Sequence, residues 1–185
     1  LCVYVIAAIS LNLVVGISGE LSLGHAGFMC VGAYSSSFFS VLTKDALPEL
    51  VRFPLAILIG AAVAAIFGIL IGIPVLKLRG DYLAIVTLAF GEIVRNIFKN
   101  LSFFGGSQGL TVKMYPEKEL FIVALIVVII VLVLSQNLIR SKHGRAVTAI
   151  RDNEIAAKSM GINVTKYKLM GFVISAVFAG LAGAL

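Results

Sequence analysis

Glu92 and Arg95 stand one helical turn apart in an otherwise apolar stretch, with Thr87 and Asn96 close by. A charge in hydrocarbon is costly, so such a pair either neutralises itself or faces a water-lined path. Arg95 also lies near the end of its stretch, where its long stem can carry the charge outward. A second cluster occupies residues 17–34, I-S-G-E-L-S-L-G-H-A-G-F-M-C-V-G-A-Y. Gly19, Gly24, Gly27 and Gly32, with Ser18, Ser22 and His25 among them, are more than a plain spanning helix needs. Glycine at this density loosens a helix and frees backbone groups, which a membrane tolerates only where protein or a water-filled cavity satisfies them. A helix broken there aims its N-terminal amides at a carboxylate; the alternative is a helix start in a tight packing corner. Ser22, Gly24, His25, Gly27, Thr87 and Glu92 are therefore the candidates for a substrate path.

Other chemistries find no support. No G-x-x-x-x-G-K-[ST] motif occurs, and Gly105-Gly106-Ser107-Gln108-Gly109 lacks the lysine of a phosphate loop. The chain is not expected to hydrolyse nucleotide itself. H-E-x-x-H is absent, and the two histidines, His25 and His143, stand far apart. Cys2 and Cys30 fall in apolar stretches without a second ligand at metal spacing and read as small core fillers. The expectation is a protein with no catalytic constellation, no metal site and no cofactor.

The elements that must position these residues are membrane helices. Of 185 residues, 60% are hydrophobic and 13% charged, against roughly 45–50% apolar in soluble domains, and the mean hydropathy is +1.08. The apolar blocks approach the ~20 residues a helix needs to cross ~30 Å of hydrocarbon. Uninterrupted runs such as residues 122–134 exclude the alternating strands of a transmembrane barrel. The fold class expected is all-α, a polytopic transmembrane helical bundle with a cytoplasmic coupling loop. Its crossings fall at residues 1–16, 21–42, 53–76, 82–98, 120–139 and from 169 onward. Residues 21–32 can also be read as re-entrant. Residues 1–16 lack the charged n-region and cleavage site of a signal peptide and read as a true span. A chain that opens on Leu1 and stops at Leu185 inside an apolar run reads as one domain truncated at both ends.

The net charge of +6 follows topology rather than nucleic acid. Seven basic residues crowd between residues 140 and 168 against Asp152 and Glu154, which makes this loop cytoplasmic by the positive-inside rule. Alternating back puts Lys77 and Arg79 on the same side, with Lys44, Arg52, Lys99, Lys113 and Lys118 opposite. Within the loop, Asp152 is a good N-cap, Glu154 suits a first turn and Gly161 suits a C′ stop. These signals predict a helix over 153–160, preceded by a short one over 145–150. Helices so short are marginal alone in water; they lean on a cytoplasmic partner, or the loop is a solvated basic connector.

Small residues recur at i, i+4 in two crossings: Ala56, Gly60, Ala64, Gly68 and Gly72 in one, Gly171, Ser175, Ala179 and Gly183 in the last. Close backbone approach along such stripes is how helices pack in lipid. One stripe can equally serve as a sliding surface.

Five stretches carry a family resemblance. Gly24-His25-Ala26-Gly27-Phe28 with Gly32-Ala33-Tyr34 is the first, and Leu78-Arg79-Gly80-Asp81-Tyr82 followed by Thr87-Leu88-Ala89-Phe90 is the second. Gly105-Gly106-Ser107-Gln108-Gly109-Leu110, Gly144-Arg145 through Ala149-Ile150-Arg151-Asp152-Asn153, and the ending from Ser175-Ala176 to Gly183-Ala184-Leu185 complete them. Together, and in this order, they resemble the LivM-type permeases of bacterial branched-chain amino acid ABC importers. The resemblance implies a multi-pass permease of the bacterial inner membrane, embedded in membrane lipid and importing branched-chain amino acids. It implies as partners a second related permease, two cytoplasmic ATPase subunits and a periplasmic or lipid-anchored substrate-binding protein. Relatives that move urea or short amides share most of these motifs. A gradient-driven secondary transporter is the rival from another class, and it would spread ion-coupling charges over several spans. On the same resemblance, residues 144–161 look like a coupling loop of the pattern E-A-A, three residues, G. Ala156, Ala157 and Gly161 match it, while Glu154 stands one place early with Ile155 in between. Gly144, Arg145, Arg151, Asp152, Asn153 and Glu154 complete the expected ATPase-coupling set.

Overall fold

The structure is a computed structural model that describes residues 1–43, 48–78, 80–101 and 117–185, without the side chains of Glu49, Leu50, Glu117 and Lys118. Lys44, Arg79, Lys113 and the glycine-rich motif at 105–109 lie outside the described residues. Among the described residues every regular element is helical. They are α1 (Cys2–Asn12), α2 (His25–Leu42), α3 (Glu49–Val75), α4 (Asp81–Asn100), α5 (Glu117–Arg140), α6 (Lys142–Asp152), α7 (Glu154–Ser159) and α8 (Val164–Ala184). α1 runs on into a π-turn, Leu13–Ile17.

Val51–Val75, Glu119–Arg140 and Val164–Ala184 are long and apolar enough to cross a membrane, and Cys2–Ile17 is a shorter apolar helix. The chain is a multi-pass helical membrane protein. α2 and α4, also expected as crossings, are more polar: α2 carries Ser35, Ser36 and Ser37, and α4 carries Asp81, Glu92, Arg95 and Lys99.

Boundaries that differ from expectation have local causes. The segment expected to be helical from residue 21 becomes so only at His25, because the chain leaves the helix after the π-turn, with Gly19 at φ +70°. From His25 the helix runs unbroken to Leu42. The last helix begins at Val164 rather than at 169, because the Asn163 side chain caps it by accepting the Lys166 N–H at 3.2 Å. Lys166 and Lys168 therefore belong to α8 and not to a loop.

α8 is the post on which α1, α2 and α3 pack. The α3 stripe predicted from sequence runs antiparallel along it. Ala64 abuts Gly180, and a Cβ on Gly68 or Gly72 would stand 2.8 Å from Ala176 Cβ or 2.7 Å from Leu169 Cδ1. The surface that meets it is Ala176, Gly180 and Ala184, so the α8 stripe predicted from sequence is not the partner. That stripe turns the other way, with Gly171 against Ser18, Ser175 against Ser10, and Gly183 against Met29 of α2. Small residues on two faces let α8 be approached from both sides. At Gly32 of α2 a Cβ would stand 2.6 Å from Gly180 Cα, so the two backbones touch.

Phe28 of α2 anchors one apolar cluster, with Phe172 at 5.6 Å and Phe90 at 5.1 Å between ring centres and Val14 and Leu83 around them. A second cluster joins Ile6, Leu13, Val131 and Phe178, and through it α5 meets α1 and α8. Many other large side chains of α5, such as Phe121, Ile126 and Ile130, are exposed, as on a helix solvated by hydrocarbon. α4 buries Leu83, Ala84, Thr87 and Val94 and leaves Ile85, Ile93 and Ile97 exposed on its other side.

Candidate functional site

The ends of α1 and α3, the start of α4 and all of α6–α7 gather at one end of the bundle, called here the basic end. Ser141 opens α6: its hydroxyl donates to Leu138 O at 2.6 Å and accepts the Gly144 N–H at 3.1 Å. Gly144 is obligatory in this turn, since a Cβ would meet the carbonyls of Leu138 and Ile139. α6 extends over Lys142–Asp152, longer than the 145–150 expected, and leaves Arg145 exposed. Asp152, expected as the N-cap of the next helix, is instead the last residue of α6. Its carboxylate is taken by Arg151, whose Nε and NH2 donate at 3.1 and 3.0 Å. Asn153 caps α7, with extended backbone and an Oδ1 that accepts the Ala156 N–H at 3.0 Å. Gly161 closes α7 as expected, at φ +80°, with Ile162 N–H donating to Ala157 O at 3.1 Å.

α7 is therefore a rigid, capped turn close to the start of α8. Ala157 is buried against its own chain, while Ile155, Ala156 and Met160 point outward, Ile155 80% and Met160 83% exposed.

Two ionic contacts tie these helices to the segment after α1. Arg151 NH1 donates to Gly16 O at 2.7 Å, and the Arg151 stem fills the space beside Gly19. Lys168 Nζ lies 3.2 Å from Glu20 Oε1 and 3.1 Å from Glu154 Oε2. Burial pushes the Glu20 carboxyl above its ordinary range; Lys168 pulls against that shift without cancelling it, and Glu154 adds to it. Two open clefts flank this cluster. One of about 560 Å³ is lined by Leu76, Lys158, Asn163 and Val164, the other of about 320 Å³ by Gly19, Glu20 and Asp81, and both share Leu78, Glu154 and Lys168.

The structure brings together five of the six path candidates. Ser22, Gly24, His25 and Gly27 lead into or open α2, and Thr87 of α4 closes on them. The Thr87 hydroxyl accepts the Leu23 N–H at 3.0 Å and donates to Ala84 O at 3.0 Å. A Cβ on Gly24 would stand 2.8 Å from Thr87 O, and one on Gly27 would stand 2.9 Å from Gly91 Cα. Glycines on both helices thus bring α4 onto the start of α2, and Gly27 N–H turns back to Gly24 O at 2.9 Å. The expected open helix terminus is filled by α4 in this packing.

Behind it lies a buried hydroxyl network. Ser10 Oγ donates to Ser175 O at 2.7 Å, and Ser175 Oγ donates to Ser10 O at 2.9 Å. Each hydroxyl has one hydrogen, so His25 Nε2, 2.7 Å from Ser175 Oγ, must be the donor there. Among the described residues, His25 Nδ1 and Ser22 Oγ are buried without a hydrogen-bond partner.

Glu92 stands apart. It pairs with Arg95 at 3.5 Å, and both side chains are more than half exposed among the described residues.

The whole chain, residues 1–185, matches the family described as branched-chain amino acid transport system / permease component. The chain belongs to that family. It is 40% identical, over 217 aligned residues, to the high-affinity branched-chain amino acid transport system permease protein LivM of Salmonella typhimurium, covering 99% of this chain and 49% of that one. It is 39% identical to the LivM protein of Escherichia coli, with the same coverage. The nucleoside ABC transporter permease protein NupC of Lactococcus lactis is 24% identical over 90% of this chain and 58% of its own. The chain spans about half the length of the two LivM proteins. No solved structure matches it.

Within this family member, sequence reasoning missed Ser10, Glu20 and Lys168. Glu20 carried a signal, an acid set between Ser18-Gly19 and Ser22 just ahead of α2. Ser10 carried none, since one serine in an apolar helix is ordinary.

Proposed function

We propose that this chain is part of the membrane-spanning permease subunit of an ATP-driven importer for branched-chain amino acids. The carrying observation is the 40% identity to a LivM protein along 99% of the chain. On this reading the basic end faces the cytoplasm across the bacterial inner membrane. Two ATPase subunits dock on α6 and α7 and perform the hydrolysis. A second, related permease covers open faces of the bundle, and a substrate-binding protein delivers cargo to the opposite end. The contact of Ser22, Gly24, His25 and Gly27 with Thr87 is then a closed constriction, which opens when α4 shifts against α2 on the glycine surface. Glu92 lines the aqueous path, because a charged pair is too costly to leave in lipid.

Radiolabelled leucine uptake is the direct test. Deleting the full-length gene removes high-affinity uptake, and depleting ATP with the proton gradient intact removes it equally. Uptake driven by the gradient alone contradicts the proposal. Glu92→Gln lowers leucine transport several-fold while the complex still assembles. Unchanged uptake at limiting and saturating leucine makes Glu92 structural.

A further inference from the structure

Three elements meet on one ammonium. Lys168 Nζ, on the second turn of α8, contacts Glu154 of α7 at 3.1 Å and Glu20 of the segment after the π-turn at 3.2 Å. Lys168 is 19% and Glu20 9% exposed, so the attraction between these two is weakly screened, while Glu154 is 38% exposed. Two carboxylates from different elements contact this ammonium, and the second oxygen of Glu20, Oε2, is buried without a hydrogen-bond partner among the described residues. A buried acceptor left unpaired is costly, and an ammonium with three donors could satisfy it if Glu154 withdrew. The cluster therefore has two arrangements: Lys168 divided between α7 and the segment, or Lys168 given wholly to Glu20.

Glu20 is well placed to pass that difference on. It lies four residues from Gly16, whose carbonyl is held by Arg151 of α6. Downstream, Leu23 donates to Thr87 of α4, and His25 reaches Ser175 of α8. A displacement at Glu20 thus reaches the α2–α4 contact through a few non-helical residues.

We infer that Lys168 is a positioning residue for transport, which registers the place of α7 and sets the segment from Glu20 to Gly24 accordingly. This rests on the import reading. The test uses the full complex in proteoliposomes, with the binding protein present, and reads the leucine moved per ATP hydrolysed. Lys168→Met assembles and hydrolyses ATP, but the ratio falls about fivefold or more. Lys168→Arg restores most of it. Adding Glu20→Gln to Lys168→Met lowers the ratio no further, because both remove the same link. A purely structural role lowers import and hydrolysis together and leaves the ratio unchanged, which overturns the inference. So do Lys168→Met and Glu20→Gln effects that simply add. If Lys168→Met fails to assemble, Glu20→Gln alone carries the test, with the same fall expected and an unchanged ratio overturning the inference. A wild-type complex that hydrolyses ATP with leucine unmoved overturns the import reading and this inference with it. Wild-type import with wild-type ratios in the variants overturns this inference alone.

Discussion

Ile155→Asp combined with Met160→Asp in the full-length protein leaves membrane insertion intact and removes the ATPase subunits, which no longer co-purify, and leucine uptake falls about a hundredfold or more. Both side chains stand free of their own fold, 80% and 83% exposed on and just after α7. Burying a large apolar side chain against a partner stabilises by about 1.5–3 kcal/mol, so two of them amount to at least two decades of affinity. Aspartate removes that gain and adds a carboxylate that loses its water on docking. The fold itself has little to lose, since both side chains are largely exposed among the described residues. Ala157 behaves differently although it sits in the same helix. At 4% exposed it faces inward, so Ala157→Trp wedges α7 off its seat and lowers thermal stability together with uptake. Co-purification at wild-type yield in the double aspartate variant would move the dock away from α7.

The helical bundle and the short helices of the basic loop were legible because both rest on strong local signals. Apolar blocks of spanning length, small residues every fourth position and a loop crowded with basic residues each state a preference that tertiary packing does not reverse. Caps were legible only in part. Gly161 is the only nearby residue suited to a left-handed stop, and the structure uses it. Asp152 and Asn153 are adjacent and chemically alike as caps, and the cap falls to Asn153, whose Oδ1 accepts the Ala156 N–H, while Asp152 ends α6. That competition depends on side-chain direction, which spacing does not reveal.

Pairing was the least legible. The stripe Gly60–Ala64–Gly68–Gly72 was read as a packing or sliding surface, and α8 meets it with Ala176, Gly180 and Ala184. α8 is so rich in small residues that two stripes compete, and Ser175 tips the choice. A hydroxyl is better placed facing Ser10 and His25 than facing the apolar surface of α3. The glycines at residues 17–34 left open a broken helix or a helix start in a tight packing corner, and the structure has α2 starting at His25 in such a corner. That α4 would fill it followed from Gly91 and Thr87 meeting Gly27 and Gly24 across a separation of about sixty residues, a match no local pattern encodes.

Arg151→Glu lowers leucine uptake about tenfold or more, while the protein inserts and the ATPase subunits still co-purify. The ion pair of Arg151 with Asp152 is not the reason, because both partners are well exposed and such pairs contribute little. The reason is the bond from NH1 to Gly16 O at 2.7 Å. Hydrogen bonds from a charged donor contribute about 1.5–3 kcal/mol, and this one spans from α6 to the π-turn that ends α1. Glutamate turns that attraction into a carboxylate facing a carbonyl, with Asp152 adding a second negative charge beside it. Arg151→Met separates the two contributions of the side chain, since it keeps an apolar stem beside Gly19 and loses only the donor. Its uptake should fall between wild type and Arg151→Glu. The same ordering is expected for a reporter of the π-turn itself, the rate of hydrogen exchange at the Ser18 and Glu20 amides, which donate to Leu13 O and Val14 O. Wild-type uptake in both variants, with unchanged exchange at these amides, would show that the bond from Arg151 to Gly16 O carries no part of the coupling.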